Sequence, residues 1–310
     1  VKPITQGQVL AALESLNTNK ATGCDNVPTK VLKIAANELA KPLTTLFNSC
    51  ILNCVWPSDW KRGIWSPLYK NDDKYSKKNY PPITVKVFEQ LIGAKISTGF
   101  VDRMYVNSSA YRSGHSCEKA LIHLVEGWRH ARDDKLVVNL LSTNMSKAFD
   151  SLHPSLLLSK LKAYGFENST VQLLESYLCD RKYCVKIGDH VSSSRTVNRG
   201  CPQGSALGPL LWNIFQNDLS YFTTTNLSTY ADDHQIYHTG RDQSSVMLKL
   251  KESALQATEW YDSNLLAGNL KKYKVMNIGY GQNDDNTIQV IRLNNHDVNT
   301  TSSLKLLGVI

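Results

Sequence analysis

"LSTYADDHQIYHTG", residues 227–240, reads as two short runs that meet at a pair of carboxylates. Leu227, Thr229 and Ala231 alternate with polar or aromatic residues, and Gln235 to Tyr237 resume the pattern. Period-two alternation on both sides of a brief polar break marks a hairpin, with Asp232 and Asp233 expected at its tight tip. Adjacent carboxylates there can present oxygen ligands to a hard cation such as Mg²⁺. Asp-Asp is also common turn chemistry, and the chain holds three further pairs, at 72/73, 133/134 and 284/285. Only 232/233 is gripped by strand-like residues without a spacer; 284/285 sits in the longer polar loop "GQNDDN". Spacing alone leaves both readings open.

Working outward, "KLVVNLLSTN", residues 135–144, begins as a buried strand and turns polar at Ser142, Thr143 and Asn144. Where a buried strand surfaces, a side chain can be held rigidly and aimed at a cleft. Asn144 stands there, and the next acid is Asp150. In "RGCPQGSALGPLLWNIF", residues 199–215, Gly200 and Gly204 surround Pro202 and Gln203 in a shaped loop feeding a helix. Small residues permit close backbone approach and a helix start favours phosphate, although a plain helix cap has the same composition.

Elsewhere, residues 5–17 and 28–51 carry apolar side chains at helical spacing, and 156–180 read as two helices broken at Gly165. Residues 182–200 alternate like a hairpin, residues 208–219 read as a helix entered at Gly208 and Pro209, and 275–293 look like another hairpin. Helices mixed with mostly antiparallel strands give an α+β class. Between residues 59 and 83, Lys61, Arg62, Lys70, Lys74, Lys77 and Lys78 interleave with Trp60, Trp65 and Tyr69. That composition suits a surface tracking a nucleic-acid backbone, and equally a solvated loop.

The chain has 310 residues, with 42% hydrophobic and 20% charged content, ordinary for a folded protein with a large core. A net charge of +8 favours a polyanionic partner, either nucleic acid or an acidic membrane surface. The seven cysteines are odd in number and scattered. The pairs Cys50/Cys54 and Cys179/Cys184 have no complement that would make four zinc ligands, so free thiols in a reducing compartment are expected. No apolar run approaches the ~18 residues of a membrane span. The opening "VKPITQGQVL" has neither a methionine nor a signal-like segment and reads as the start of an excised fragment.

The order of segments carries the sharpest signal. "NMSKAFDSLHPSLLLSKLKAYGF" (144–166), "RGCPQGSALGPLLWNIFQNDL" (199–219), "TYADDHQIY" (229–237), "NLLAGNLKKYKVMNIG" (264–279) and "LKLLGVI" (304–310) together resemble the reverse transcriptase domain of non-LTR, LINE-like retrotransposons. Upstream, "NKATGCDNVPTKVLK" (19–33), "WPSDWKRGIWSPLYKNDD" (56–73) and "NYPPITVKVFEQLI" (79–92) look like that family's finger motifs. The resemblance covers nearly the whole chain.

It implies a right-hand polymerase fold with an antiparallel-sheet palm and mixed helical and strand fingers. Fingers are expected from 1–110 and 151–199, the palm from 111–150 and 200–300, and a last palm strand at 301–310, after which the thumb is missing. The implied activity is RNA-directed DNA polymerisation by two-metal nucleotidyl transfer, with an RNA template, a DNA primer, dNTPs, and Mg²⁺ or Mn²⁺. The implied setting is intracellular, cytoplasmic or nuclear, without a membrane. Carried over residue by residue, Asp232 and Asp233 are metal-binding palm carboxylates. Phe149 is the steric gate against a ribose 2′-hydroxyl, Gln203 and Gly204 line the nucleotide and template, Lys272 stabilises pyrophosphate, and Lys70 contacts the triphosphate.

Three departures follow from the same resemblance. The family's "DMSKAFD" is "NMSKAFD" here, so Asn144 takes the place of the first palm Asp. An amide oxygen can ligate but carries no charge, and its NH₂ half repels a cation. A cost of ~3–5 kcal/mol would slow the reaction ~10²–10⁴-fold. "NYRPI" is "NYPPI", which replaces a triphosphate-binding Arg by Pro81. About five residues usual in the family are missing between Thr84 and Lys86. A polymerase impaired by Asn144 is therefore expected. The rivals are an inert nucleic-acid-binding protein of polymerase shape and an unrelated Mg²⁺-dependent phosphohydrolase, which would need a third acid.

Overall fold

A computed structural model describes residues 1–18, 27–65, 83–145, 148–188, 190–202, 204–223, 225–279, 290–293 and 296–307. In chain order the elements begin with α1 (Gln6–Glu14), α2 (Thr29–Ile34), α3 (Ala36–Leu52), β1 (Arg62–Trp65) and α4 (Ile83–Phe100). The chain continues through α5 (Cys117–Asp133), β2 (Val137–Asn144), α6 (Ala148–Ser151), α7 (Pro154–Ala163) and α8 (Asn168–Leu178). Next come β3 (Arg181–Ile187), β4 (His190–Val191), β5 (Arg195–Val197), α9 (Gly208–Gln216) and α10 (Leu219–Phe222). The last are β6 (Asn226–Tyr230), β7 (Asp233–Gly240), α11 (Gln243–Ser263), β8 (Lys274–Ile278), β9 (Val290–Leu293) and β10 (His296–Asn299). The class is α+β. Two compact units are present, one from residues 1–103 and 152–211, the other from 104–151 and 212–310.

In the first unit, β1 runs parallel to β3 with Arg62 opposite Lys182, while β4 and β5 pair antiparallel with β3. The expected strands after Lys182 therefore form, but the sheet recruits β1 as well. Thr5 opens α1 with a capping box, its hydroxyl accepting from the Gln8 amide while the Gln8 side chain accepts from the Thr5 amide. The helix expected over 28–51 divides at Ala35, whose backbone leaves helical geometry (φ −88°, ψ 20°). Apolar rings form the heart of this unit. Phe47 stacks on Phe88 at 4.8 Å, Trp56 lies 4.6 Å from Phe88, and Trp60 meets Phe47 edge-on at 6.1 Å. Trp60 is therefore a packing residue, and the expected base-stacking surface loses it. Lys70, Lys74, Lys77, Lys78, Tyr69, Pro81 and the Asp72/Asp73 pair lie outside the described residues, as does the side chain of Trp65.

The second unit is built on a four-stranded antiparallel sheet in the order β6-β7-β2-β8. Val138 to Leu141 of β2 are buried at four consecutive positions, so the sheet is covered on both faces. Val138 and Leu140 pack with Leu124, Trp128 and Ala131 of α5. Further along β2, Thr143 reaches Tyr261 of α11. Of the hairpin expected over 275–293, residues 280–289 lie outside the described residues, and among the described residues β8 and β9 do not pair with each other. β8 pairs with β2, placing Val275 opposite Leu141, and β9 pairs with β10. An isolated two-stranded hairpin buries little, whereas Val275 on the β2 edge is fully buried. The Asp284/Asp285 pair lies outside the described residues. Of the last strand expected at 301–310, residues 308–310 lie outside the described residues; Leu304 and Leu306 fill the core beside Leu124 and Leu140.

Candidate active site

The β6–β7 hairpin turns through two residues, Ala231 and Asp232, with Tyr230 paired to Asp233. Asp232 thus occupies the turn and Asp233 begins β7, one step past the tip the sequence suggested. Ala231 has φ +55°, the left-handed geometry that a two-residue hairpin turn requires. Its carbonyl accepts from the fully buried indole N–H of Trp212 at 2.9 Å, which fixes the turn from behind.

Register brings the third member in. Asn144, the last residue of β2, is the direct partner of Asp233. The Asn144 Nδ2 donates to Asp233 Oδ1 at 3.0 Å. Burial pushes the Asp232 carboxyl above the ordinary range, reinforced by the negative charge of Asp233 and opposed by a backbone hydrogen bond and by the positive charge of Lys272. Lys272 is delivered by the short helical turn Leu270–Lys272, whose preceding residue, Asn269, donates its amide to the Asn144 carbonyl at 2.8 Å. Sheet pairing and one turn therefore assemble Asn144, Asp232, Asp233 and Lys272 in a single unit.

Two carboxylates and one amide are a poor match for a pair of divalent ions. Among the described residues, no group of three or more His, Cys, Asp or Glu side chains could hold a metal ion. The Asn144 N–H already occupies one Asp233 oxygen, so the donor set fits two ions incompletely.

Phe149, on α6, is half-buried between Trp212 at 5.4 Å and Tyr111 at 6.1 Å. Behind the acids lies a buried polar network that sequence reasoning missed. His234 pairs through Nδ1 with the Tyr261 hydroxyl at 2.9 Å and through Nε2 with Gln216 Oε1 at 3.0 Å. The Tyr261 hydroxyl also meets Thr143 Oγ1 at 3.0 Å. Desolvation drops the His234 pKa to about 3, so the ring is neutral and serves as a structural link.

Residues 69–310 match the family described as reverse transcriptase (RNA-dependent DNA polymerase). The chain belongs to that reverse transcriptase family. Its relatives are of non-LTR retrotransposon type. It is 28% identical over 288 residues to the probable RNA-directed DNA polymerase from transposon BS of Drosophila melanogaster, covering 88% of this chain and 32% of that protein. It is also 28% identical over 274 residues to the probable RNA-directed DNA polymerase from transposon X-element of the same species, covering 84% of this chain and 30% of the relative. The RNA-directed DNA polymerase from mobile element jockey, again from Drosophila melanogaster, is 25% identical over 264 residues, covering 82% of this chain and 28% of the relative. The chain thus spans about a third of the length of these curated relatives.

Of the residues expected in a reverse transcriptase site, the structure groups Asp232, Asp233, Asn144 and Lys272, with Phe149 against Trp212. Gly204 falls in the other unit, in a turn at φ +78° that suits glycine. Lys70 and Gln203 lie outside the described residues. The 204–208 segment is held by a second network missed from sequence. Glu89 accepts from the Ser205 hydroxyl at 2.9 Å and the Ala206 amide at 2.7 Å, while Ser205 Oγ caps α9 by accepting from Leu207 and Gly208. Burial pushes the Glu89 carboxyl up despite these donors. A lone Glu or His in an apolar run gives no sequence signal of such a role. No described helix is long and apolar enough to cross a membrane.

Proposed function

We propose that this chain is the RNA-directed DNA polymerase domain of a non-LTR retrotransposon whose nucleotidyl transfer is impaired by Asn144. One observation carries the reading: an amide N–H donates to Asp233 where the reverse transcriptase motif puts a third carboxylate. The unit holding Asp232 and Asp233 acts as the palm and the other as the fingers, working on an RNA template, a DNA primer and dNTPs.

Asp232 and Asp233 are the residues that would hold Mg²⁺, with Mn²⁺ as a substitute. The chemistry an ion held there would supply is activation of the primer 3′-hydroxyl and neutralisation of triphosphate charge. Asn144 withholds one negative charge from that centre and engages an Asp233 oxygen. Lys272 offsets the charge of Asp232, and its motif implies binding of departing pyrophosphate. Phe149, backed by Trp212, blocks a ribose 2′-hydroxyl. For Lys70, Gln203 and Gly204 the reverse transcriptase motifs imply further contacts with nucleotide and template.

Primer extension on an RNA template with dNTPs and Mg²⁺ tests this. Asn144→Asp should raise the rate ~10²–10⁴-fold over the parent chain. Equal extension by both proteins would sink the assigned role of Asn144. The amide of Asn144, where the resemblance implies a metal-binding carboxylate, also favours a second reading, an inert nucleic-acid-binding domain of polymerase descent. Tight RNA–DNA hybrid binding with no extension by either protein would select it.

A further inference from the structure

Tyr111 has no part in the reading above, yet the loop that carries it is built as firmly as the acid turn. Arg112 Nη1 donates to the carbonyls of Tyr105 at 2.9 Å, Val106 at 3.3 Å and Ser108 at 2.9 Å. The loop is stitched to β6, with the Ser109 amide on the Thr229 carbonyl at 3.0 Å and the Thr229 amide on the Asn107 carbonyl at 3.1 Å. Asn213 Nδ2 then donates to the Ala110 carbonyl at 2.7 Å. Its neighbour in α9, Trp212, holds the Ala231 carbonyl. Two consecutive helix residues thus grip the residue before Tyr111 and the residue before Asp232.

The clamp holds Tyr111 in an unfavourable state. Its φ of +58° is left-handed, a region that bulky side chains avoid. Its ring stands edge-on to Phe149, 6.1 Å between centroids at 85°, and the residue is 57% exposed. An exposed aromatic fixed on a clamped loop, edge-on to Phe149, is positioned for a contact made there. Partial burial, with a smaller contribution from the nearby Asp232 charge, pushes the phenol up. At neutral pH it is therefore an O–H donor.

We propose that Tyr111 is a nucleotide-contacting residue, forming with Phe149 a two-walled aromatic corner beside Asp232 that holds the sugar of the incoming nucleotide. The proposal rests on the polymerase reading. The ring supplies an apolar wall and the O–H a donor to a sugar oxygen, contacts distinct from charge neutralisation by the acids. Tyr111 should therefore govern nucleotide affinity and sugar discrimination more than the rate of the chemical step.

The test uses the whole chain and unmodified dATP as the probe, read by isothermal titration calorimetry, which needs no turnover. Tyr111→Asn and Tyr111→Gly both suit the left-handed backbone, so they remove the ring without disturbing the loop. Each should weaken probe binding about tenfold, whereas Tyr111→Phe should stay within about threefold of the parent. In the Asn144→Asp background, Tyr111→Asn should raise the KM for dNTPs by a similar factor, leave kcat within about threefold, and narrow the preference for dNTP over rNTP. Parent-like binding and KM in both ring-less variants would overturn the proposal while leaving the polymerase reading intact. A parent chain that binds no nucleotide would overturn both.

Discussion

His234 shows how much one side chain next to the acids is asked to do. It follows Asp233 directly, is fully buried, and links β7 to Tyr261 of α11 and Gln216 of α9. Its folded pKa of about 3 lies below the unfolded value near 6.5. The stability it contributes is therefore present above pH ~6.5 and is lost as pH falls toward 3, because only the unfolded chain takes up the proton. At pH 5 the loss should be ~2 kcal/mol, from 1.36 kcal/mol per unit over the interval below 6.5. Urea denaturation of the parent and His234→Asn at pH 7.5 and pH 5 measures it. The gap in stability between the two should shrink by that amount on acidification, and a constant gap would show that His234 is not held neutral. The location of His234 was hidden in the sequence because a lone histidine in a strand reads as packing. Its importance comes from partners far away in the chain, Gln216 and Tyr261.

At the scale of elements, the hairpin and its support divide cleanly into what the sequence reveals and what it hides. Alternation around Asp232 and Asp233 was enough to find β6 and β7, since period two is a local property. Register was not local. That Asn144 faces Asp233 depends on β2 pairing with β7 along its whole length, from Val137 opposite Gly240 to Asn144 opposite Asp233. The motif resemblance anticipated that meeting; periodicity could not. Strand pairing also defeated local reading at β8, where an open edge of β2 outcompeted the next strand-like run. The indole of Trp212 belongs to the hidden part, because a tryptophan on an apolar helix face ordinarily reads as core. Its hydrogen bond makes a test possible. Trp212→Phe keeps an aromatic ring but leaves the buried Ala231 carbonyl without its donor, and should cost ~2–3 kcal/mol. The unfolding midpoint in urea should fall accordingly. A change under ~0.5 kcal/mol would mean that the left-handed turn holds itself.

For the whole molecule, charge and chemistry are separable properties. The net charge of +8 is distributed along the chain, whereas the proposed defect is a single missing carboxylate at the end of β2. Affinity for an RNA–DNA hybrid should therefore survive in the parent chain, because backbone phosphates are bound by lysine and arginine through counterion release. Engaging about five phosphates predicts a ~10²–10³-fold loss of affinity between 50 and 200 mM salt. Asn144→Asp should leave that slope unchanged while restoring extension, since it adds charge at the acids and removes no phosphate contact. Hybrid binding followed by fluorescence anisotropy across a salt series, for both proteins, decides it. A salt-independent affinity would mean that the basic excess serves no nucleic acid. A slope that changes by more than one phosphate equivalent on substitution would mean that Asn144 lies on the binding track, and that loss of the acid altered how the hybrid is held as well as how it is extended.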